Sequence, residues 1–290
     1  MTPDRDPPPV SRDALRPGDV LLMYGDAAVS DLIRDLAGGD YSHAGFWSAG
    51  SGGDGGDVID AGPAGVLHVP LDERLYSERY VDVWRWRSKD GHGIGEPGWP
   101  ESDVEQSFAR YLNSATGGTR FAYHRMFMVA LLFIAKAGTE HVPGKRIVRL
   151  LLEWALEVMD QWLSKGTTAV TCSGLVYRGF DEALHGGHPH RYQIAVDNPY
   201  VLPAPVGAVG DAQRAETTAR LETALDRLDD GADLARTFLL RYAASTGFDT
   251  VGEDVAAAAA HVYADFVTPA DLQRSPNLTL VGRLVREYDG

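Results

Sequence analysis

The sequence predicts an α+β fold in which the strands come first and most of the helices come later. Five short segments between residues 19 and 86 are rich in Val, Ile and aromatic residues and are separated by turns, several of them Gly-rich. From Glu101 onward, apolar residues recur instead at the three- and four-residue spacing of amphipathic helices. No internal repeat interrupts this order. We therefore expect an antiparallel sheet with helical segments packed against it.

The first half of the chain supplies the predicted sheet. A buried strand is predicted over residues 19–24, entered through the turn-forming Pro17-Gly18. An apolar stripe from Val29 to Leu36 predicts a helix that ends at Gly38-Gly39. The remaining strands, which together form a meander, are predicted over residues 42–47, 57–61, 65–69 and 80–86.

The second half is predicted to be mainly helical. After a helix that starts at Glu101, two apolar helices over residues 124–136 and 145–164 are separated by Pro143-Gly144. We expect them to form a hairpin packed on the sheet, with a lid or a surface for apolar substrates as the alternative. The later predictions are a strand-to-helix junction over residues 171–184, a linker over 197–205, an Ala-rich helical hairpin over 212–245 and 254–266, and a last helix capped by Thr268-Pro269.

This pattern divides the chain into a lead and one domain. Residues 1–14 are Pro-rich and are expected to be extended or disordered. Residues 15–290 are expected to form a single domain with a helical insertion over about 101–164 and a C-terminal helical extension over about 211–266.

Composition excludes several functional classes. A net charge of −14, from 27 basic and 41 acidic residues, argues against nucleic acid as a partner. The start of the chain does not resemble a secretory signal peptide, and the longest apolar run, Met126 to Ala135, is too short to span a membrane. We expect a cytoplasmic protein without stable membrane insertion. The single cysteine, Cys172, cannot form an internal disulfide and is predicted to be a free thiol.

Cys172 lies at the predicted start of a helix, in Thr171-Cys172-Ser173-Gly174-Leu175-Val176. Unpaired backbone N–H groups and the positive end of the helix dipole favour a thiolate at such a position. The same N–H groups can stabilise the oxyanion of a tetrahedral intermediate. A lone cysteine is more often a small buried apolar residue, so the position alone does not decide between the two roles.

The segment Cys172-Ser173-Gly174-Leu175-Val176 resembles the nucleophile motif of the NlpC-type cysteine peptidases, and Tyr41-Ser42-His43-Ala44-Gly45 resembles their histidine strand. Here the histidine precedes the cysteine, which is similar to the circularly permuted papain-like branch that includes the YiiX- and YaeF-like amidases and the lecithin:retinol acyltransferase-like enzymes. The Gly-Asp strand of that branch is matched by Gly18-Asp19, and its acidic strand by Val58-Ile59-Asp60-Ala61. Family members often have Glu where this chain has Asp60.

The resemblance implies a permuted papain-like fold, in which the antiparallel sheet packs against the helix that bears the nucleophile. It also implies a triad of Cys172 as nucleophile, His43 as base and Asp60 as the acid that orients the histidine. Tyr123 is expected to line the substrate cleft or to pack in the core, and Ser42 and Ser173 are expected to contact substrate. The implied activity is hydrolysis or acyl transfer through an acyl-enzyme, without a metal or other cofactor.

Other residues are alternatives for these roles. His68 is a rival base on a neighbouring predicted strand, and Asp57 and Asp72 are alternative acids that more often would be solvated turn residues. The three histidines His185, His188 and His190 are interpreted as a flexible loop without a nearby carboxylate pair rather than as a metal site. Ser173 is not in a serine-nucleophile elbow and is predicted to cap the helix.

The substrate class and the partners remain open at this point. A small molecule, a peptide or an acylated compound would each suit a thiol hydrolase, and the apolar helices of residues 124–164 favour an acyl chain held beside the cleft. A homodimer is the other use for that apolar surface. A papain-like binding module without catalytic activity is the alternative function.

Overall fold

The protein has an α+β fold, described from a computed structural model. A seven-stranded mixed sheet and the helices around it occupy the part of the chain that the structure describes. The described residues are 6–49, 56–62, 65–116, 124–137, 145–163, 170–188, 190–201, 211–228, 231–245, 255, 258 and 262–286.

The sheet has the strand order β1-β7-β6-β2-β3-β4-β5. Its strands are β1 (Pro9–Val10), β2 (Val20–Tyr24), β3 (His43–Ser48), β4 (Asp57–Gly62), β5 (Gly65–Pro70), β6 (Tyr80–Trp86) and β7 (Leu278–Leu284). β1 pairs in parallel with β7, and every other neighbouring pair is antiparallel. The stretch from β2 to β5 is a meander, and β6 returns to the free side of β2.

Helices flank the sheet and fill the second half of the described chain. They are α1 (Ala28–Ala37), α2 (Leu71–Ser77), α3 (Glu101–Thr116), α4 (His124–Ala137), α5 (Lys145–Leu163), α6 (Cys172–Asp181), α7 (Asp211–Asp226), α8 (Ala232–Ser245) and α9 (Pro269–Gln273). Short 3-10 turns occupy Arg12–Ala14 and Tyr263–Phe266. α6 packs against β3 and β4, which places its first residue beside the centre of the sheet.

Alternating side chains of the strands divide the buried apolar residues into two clusters. Leu22 of β2 and Phe46 of β3 belong to the larger cluster, which extends into α4, α5, α6 and α8. Leu21 of β2 and Trp47 of β3 belong to a smaller cluster, which α2 covers. Because successive side chains of a strand point to opposite faces, this division shows that both faces of the sheet are buried. In the larger cluster, the rings of Phe46 and Phe108 stack at 3.8 Å between centroids.

The five predicted strands are confirmed, with boundaries that differ by at most one residue. The sheet is larger than predicted because β7, near the end of the chain, adds to β6 and then pairs with β1. It is also mixed rather than antiparallel, since β1 runs parallel to β7. β7 carries Gly282 and lies more than 190 residues from β6, so the local pattern around it does not indicate its partner.

The helical half required two corrections. The helix predicted over residues 212–245 is two helices, α7 and α8, that end and begin on either side of Gly231 and pack against each other. The hairpin of α4 and α5 was expected to pack on the sheet, but α4 contacts mainly α1, α5 and α7, and α5 contacts mainly α8. Of the predicted helix 254–266, the structure describes little beyond the 3-10 turn. The predicted cap at Thr268 is confirmed, with Pro269 at the first helical position.

Candidate active site

Cys172 is the first residue of α6, and its side chain is fully buried. Thr171 is the N-cap residue in an extended conformation, and its Oγ1 accepts the backbone N–H of Gly174 at 3.0 Å. The backbone N–H of Leu175 donates to the Thr171 carbonyl at 2.8 Å, so the helical hydrogen bonds begin there. The N–H groups of Cys172 and Ser173 precede them, as expected for the first turn of a helix. The predicted helix start at Cys172 is confirmed.

Asp265, in the 3-10 turn before α9, bonds to the residues at the start of α6. Its Oδ1 accepts the backbone N–H of Thr171 at 3.0 Å, and its Oδ2 forms an ion pair with Arg178 of α6 at 3.0 Å. Burial, and after it the charge of Asp265 and a hydrogen bond to it, raise the pKa of Tyr242 well above its usual value. The sequence did not single out Asp265, Arg178 or Tyr242, because Asp265 lies 94 residues from Thr171.

His43 begins β3, and Asp60 lies on the neighbouring β4. The paired residues of these strands end at Phe46 with Ile59; Asp60 is the next residue of β4, and His43 lies three residues before Phe46. Nε2 of His43 and Oδ1 of Asp60 are 2.6 Å apart, and the two side chains are 1% and 0% exposed. If the pairing register is continued, both side chains lie on the same face of the sheet, where they can meet.

The charges around His43 favour the protonated imidazole. Burial by itself would lower the pKa of His43, but the charge of Asp60 and then that of Cys172, with hydrogen bonds to both, raise it to about 9. Asp60 and Cys172 therefore both act on the His43 ring, Asp60 through a contact with Nε2 at 2.6 Å.

A fourth side chain, Arg74 of α2, contacts Asp60. Its guanidinium forms an ion pair with Oδ2 of Asp60, the oxygen that does not face His43. Arg74 is 14% exposed, whereas Asp60 is fully buried. From the sequence, Arg74 is an ordinary basic residue of a short amphipathic segment, and the only signal that could have found it is its position just after the strand that follows the acidic strand, 14 residues from Asp60.

The residues predicted to contact substrate have other partners or lie elsewhere. Ser42 is buried, and its Oγ accepts the backbone N–H of Gly25 at 3.1 Å. The Oγ of Ser173 donates to the carbonyl of Val267 at 2.6 Å. Ser173 is therefore not the helix cap that was expected, since Thr171 fills that position and Ser173 lies inside the first turn. Tyr123 lies outside the described residues, and substrate contact by these three residues stays a prediction.

The alternative base and acids lie apart from Cys172. His68 is 39% exposed on β5, and its Nδ1 is 3.7 Å from Oδ2 of Asp57. Asp72 is 59% exposed and forms an ion pair with Arg12. These contacts account for His68, Asp57 and Asp72 without the thiol.

The histidines after α6 are held in place by carboxylates, contrary to the expectation of a flexible loop without them. Nδ1 of His185 is 3.2 Å from Asp103, and Nδ1 of His190 is 2.8 Å from Asp181. A short bridge links His185 to His188. The two carboxylates lie on different helices, which sequence spacing could not reveal. Within the described residues, no group of three or more His, Cys, Asp or Glu side chains could hold a metal ion.

A pocket of about 220 Å³ lies behind the helix start. Its apolar wall comes from α1 and α4 and includes Leu36, Met128, Leu131 and Leu132. Asp265 also lines it, so one buried side chain separates the pocket from Thr171 and the Cys172 turn. The triad side chains themselves are not part of its lining. An apolar surface of the helices 124–164 beside Cys172 therefore stays a prediction.

Comparisons with known proteins are sparse. No family model matches the chain, and no curated protein matches its sequence. Three solved chains match in structure, among them the metalloprotein YiiX from Escherichia coli O157:H7, described as DUF1105. The match to YiiX has a TM-score of 0.42 and 14% identity and covers 92% of this chain and 97% of that chain. A likeness at this level carries no conclusion about chemistry. Among the described residues, no helix is long and apolar enough to cross a membrane.

Proposed function

We propose that this chain is a cysteine hydrolase of the circularly permuted papain-like type, with Cys172 as nucleophile, His43 as base and Asp60 as the acid that orients the histidine. The observation that carries the proposal is that two groups act on His43: Nε2 lies 2.6 Å from Oδ1 of Asp60, and Cys172 helps to raise the pKa of the same ring. A thiol at a helix start beside a protonated imidazole is the arrangement that activates a cysteine.

The chemistry proceeds through a thioester. The Cys172 sulfur attacks an acyl carbonyl carbon, a C–S bond forms, and the N–H groups of the first turn of α6 receive the developing oxyanion. His43 donates its proton to the leaving amine or alcohol as the C–N or C–O bond breaks. His43 then takes a proton from water, the hydroxide attacks the thioester, and the C–S bond breaks to release the carboxylic acid and restore the Cys172 thiolate beside the protonated His43. Another alcohol or amine in place of water would give acyl transfer.

An apolar acyl group is the substrate feature that the surroundings of the site support. The pocket has an apolar wall formed by α1 and α4, and polar and charged residues of the segments 197–200 and 265–274 form much of the rest; Asp265 among them bonds to the Cys172 turn. A peptide or a polar amide would leave that wall without a partner, whereas each buried methylene contributes about 0.8 kcal/mol of binding. We therefore favour acyl esters or acyl amides, and a cytoplasmic site of action.

Burial of the site makes access a part of the mechanism. Cys172 and Asp60 are fully buried and His43 is 1% exposed, so their charges act on one another with little solvent screening. A substrate reaches Cys172 only when covering residues move aside. A small electrophile is therefore the right first probe of the thiol.

The test is alkylation of the whole protein by iodoacetamide, followed by mass spectrometry at pH 6. We expect Cys172 to react much faster than a free thiol, and His43→Ala to slow the reaction strongly because the imidazolium is lost. His68→Ala, which removes the other strand histidine, is the matched control and should react like the wild type. A slow wild-type reaction, or equal rates in the two variants, would contradict the proposal.

Hydrolysis of nitrophenyl esters tests the reaction itself. Cys172→Ala should abolish turnover, and His43→Ala should lower kcat/KM about 10²–10⁴-fold. To test the pocket, Ala135→Leu narrows it from α4 and Ala135→Ser leaves its size unchanged. The Leu variant is expected to lose activity on a decanoate ester more than on an acetate ester, and the Ser variant on neither. An equal loss on both esters would remove the pocket from substrate selection.

The alternative is a papain-like binding module without catalysis. Its support is the complete burial of the three side chains, which a structural cluster would share. Rapid alkylation without turnover of any ester or amide would favour this alternative.

A further inference from the structure

Asp60 is held from two sides. Oδ1 lies 2.6 Å from Nε2 of His43, and Oδ2 forms an ion pair with Arg74. A carboxylate that bonds to one cation with each oxygen cannot rotate about its terminal torsion without losing one of them. The direction of the Oδ1 lone pairs toward His43 is therefore coupled to the position of Arg74.

Arg74 itself is fixed by the packing of α2. This helix follows β5 directly, and its apolar residues Leu71 and Leu75 are buried in the smaller core cluster. The backbone carbonyl of Arg74 accepts the N–H of Glu78, which ends the helix. The guanidinium thus extends from a short anchored helix toward the end of β4, and its position does not depend on α6 or on the apolar pocket.

In the ion-pair form that the proposed function requires, the buried charges balance only when Arg74 is included. A thiolate at Cys172 and an imidazolium at His43 then cancel, which leaves the negative charge of Asp60 in a site where it is fully buried. An unpaired buried carboxylate is strongly unfavourable. The guanidinium of Arg74 brings the total charge of the four groups to zero.

We infer that Arg74 is a positioning residue of the candidate site: it holds the carboxylate of Asp60 in the orientation that binds Nε2 of His43. The inference rests on the proposed function only for its effect on reaction rate, because the orientation of Asp60 can be measured without substrate. The charged and titratable groups that act on His43 are Asp60 on β4 and Cys172 on α6, with Arg74 of α2 behind Asp60.

A positioning role and a purely electrostatic role of Arg74 predict opposite changes in the pKa of His43 when Arg74 is replaced. As a bare positive charge, Arg74 would disfavour a second positive charge on His43, so its removal would raise the pKa of His43. As a positioning residue, Arg74 keeps Asp60 against His43, so its removal weakens the contact that offsets the burial of the imidazole. In that case the pKa of His43 falls, since burial then acts with less opposition.

The experiment is an NMR titration of the His43 ring in the full-length protein, with the His43 signal assigned by its loss in His43→Gln. For Arg74→Met we expect the pKa of His43 to fall by roughly 1–3 units from its wild-type value. Arg74→Lys, which keeps the charge but not the planar fork, should recover part of this fall. A pKa that is unchanged or raised in Arg74→Met would overturn the inference.

The control variant is Arg12→Met. Arg12 pairs with Asp72 on the same helix, so its replacement removes an ion pair of α2 without touching Asp60. It should leave the titration of His43 unchanged. If Arg74→Met proves too unstable to titrate, Arg74→Lys decides the question alone, because a pKa equal to that of the wild type would then exclude a role for the guanidinium geometry.

The two proposals fail separately. A wild-type Cys172 that reacts slowly with iodoacetamide would end the enzyme proposal, whatever Arg74 does. A wild-type Cys172 that reacts rapidly, together with an Arg74→Met protein whose His43 titrates as before, would leave the enzyme proposal in place and remove Arg74 from the site.

Discussion

The two sides of the candidate site are built on the same kind of ion pair but from different parts of the chain. On the histidine side, Asp60 of β4 pairs with Arg74 of α2, and the two residues are 14 positions apart in sequence. On the cysteine side, Asp265 of the C-terminal segment pairs with Arg178 of α6, 87 residues away. In both pairs the carboxylate uses its second oxygen for the site, toward His43 in one case and toward the N–H of Thr171 in the other.

This difference separates two tasks. Asp60 contacts a group that changes its charge, so its effect is on protonation. Asp265 contacts a backbone N–H and a permanently charged arginine, so its effect is on where the helix begins. The histidine side is assembled from neighbouring strands, whereas the cysteine side requires the end of the chain to pack against its middle.

The largest effect is expected from Asp265→Asn. The change removes the carboxylate charge that pairs with the buried Arg178, and breaking a buried ion pair typically costs about 3–5 kcal/mol. Urea unfolding measures the loss. Asp226→Asn is the control, because Asp226 is 73% exposed beside Arg236 and its loss should cost about 1 kcal/mol or less. Equal losses in the two variants would mean that the cysteine side does not depend on Asp265.

The next effect is a pH dependence of stability that belongs to the histidine side. The pKa of His43 is raised from 6.5 to about 9 in the folded protein. The stabilisation is therefore complete below about pH 6.5 and is lost as the pH rises through 9, and the difference corresponds to about 3 kcal/mol. Urea unfolding at several pH values should show this fall in the wild type and a smaller one in His43→Gln. Parallel curves for both proteins would contradict it.

A third experiment tests whether the histidine side and the cysteine side affect the pKa of His43 independently. Asp60→Asn should lower the pKa of His43 by roughly 1–3 units, since the carboxylate is the largest influence that raises it. Asp265→Asn should leave that pKa unchanged in the folded fraction. NMR titration of both variants gives the answer, and a similar fall in both would show that the sides are not independent.

The smallest effect is expected at the helix cap. Thr171→Ala removes the Oγ1 that accepts the N–H of Gly174 and should cost about 1 kcal/mol of stability. Thr171→Ser keeps the acceptor and should cost clearly less. A thermal melt of both variants measures the difference, and equal losses would assign the effect to packing rather than to the cap.

Much of the histidine side could be predicted because its signals are local. The strands that carry His43 and Asp60 are marked by alternating apolar residues and by glycines. The cap of the Cys172 helix was predicted at Ser173, whereas the structure has it at Thr171. The predicted packing of α4 and α5 on the sheet was wrong, since their apolar residues fit the neighbouring helices α1, α7 and α8 equally well. Apolar patterning predicts that a face is buried and leaves its partner open.

The sequence by itself determined the α+β class, the five strands from β2 to β6 and a helix start at the single cysteine, and its resemblance to a known family proposed the residues of the candidate triad. Only the tertiary structure decided that β7 and β1 complete the sheet, that Arg74 forms an ion pair with Asp60 and that Asp265 accepts the N–H of Thr171. The physical reason is the range of the interactions. Hydrogen bonding and side-chain periodicity within one element depend on residues that are close in sequence, so the sequence pattern predicts them. A buried arginine cannot be told from a solvated one by its neighbours in sequence, because its partner comes from elsewhere in the chain.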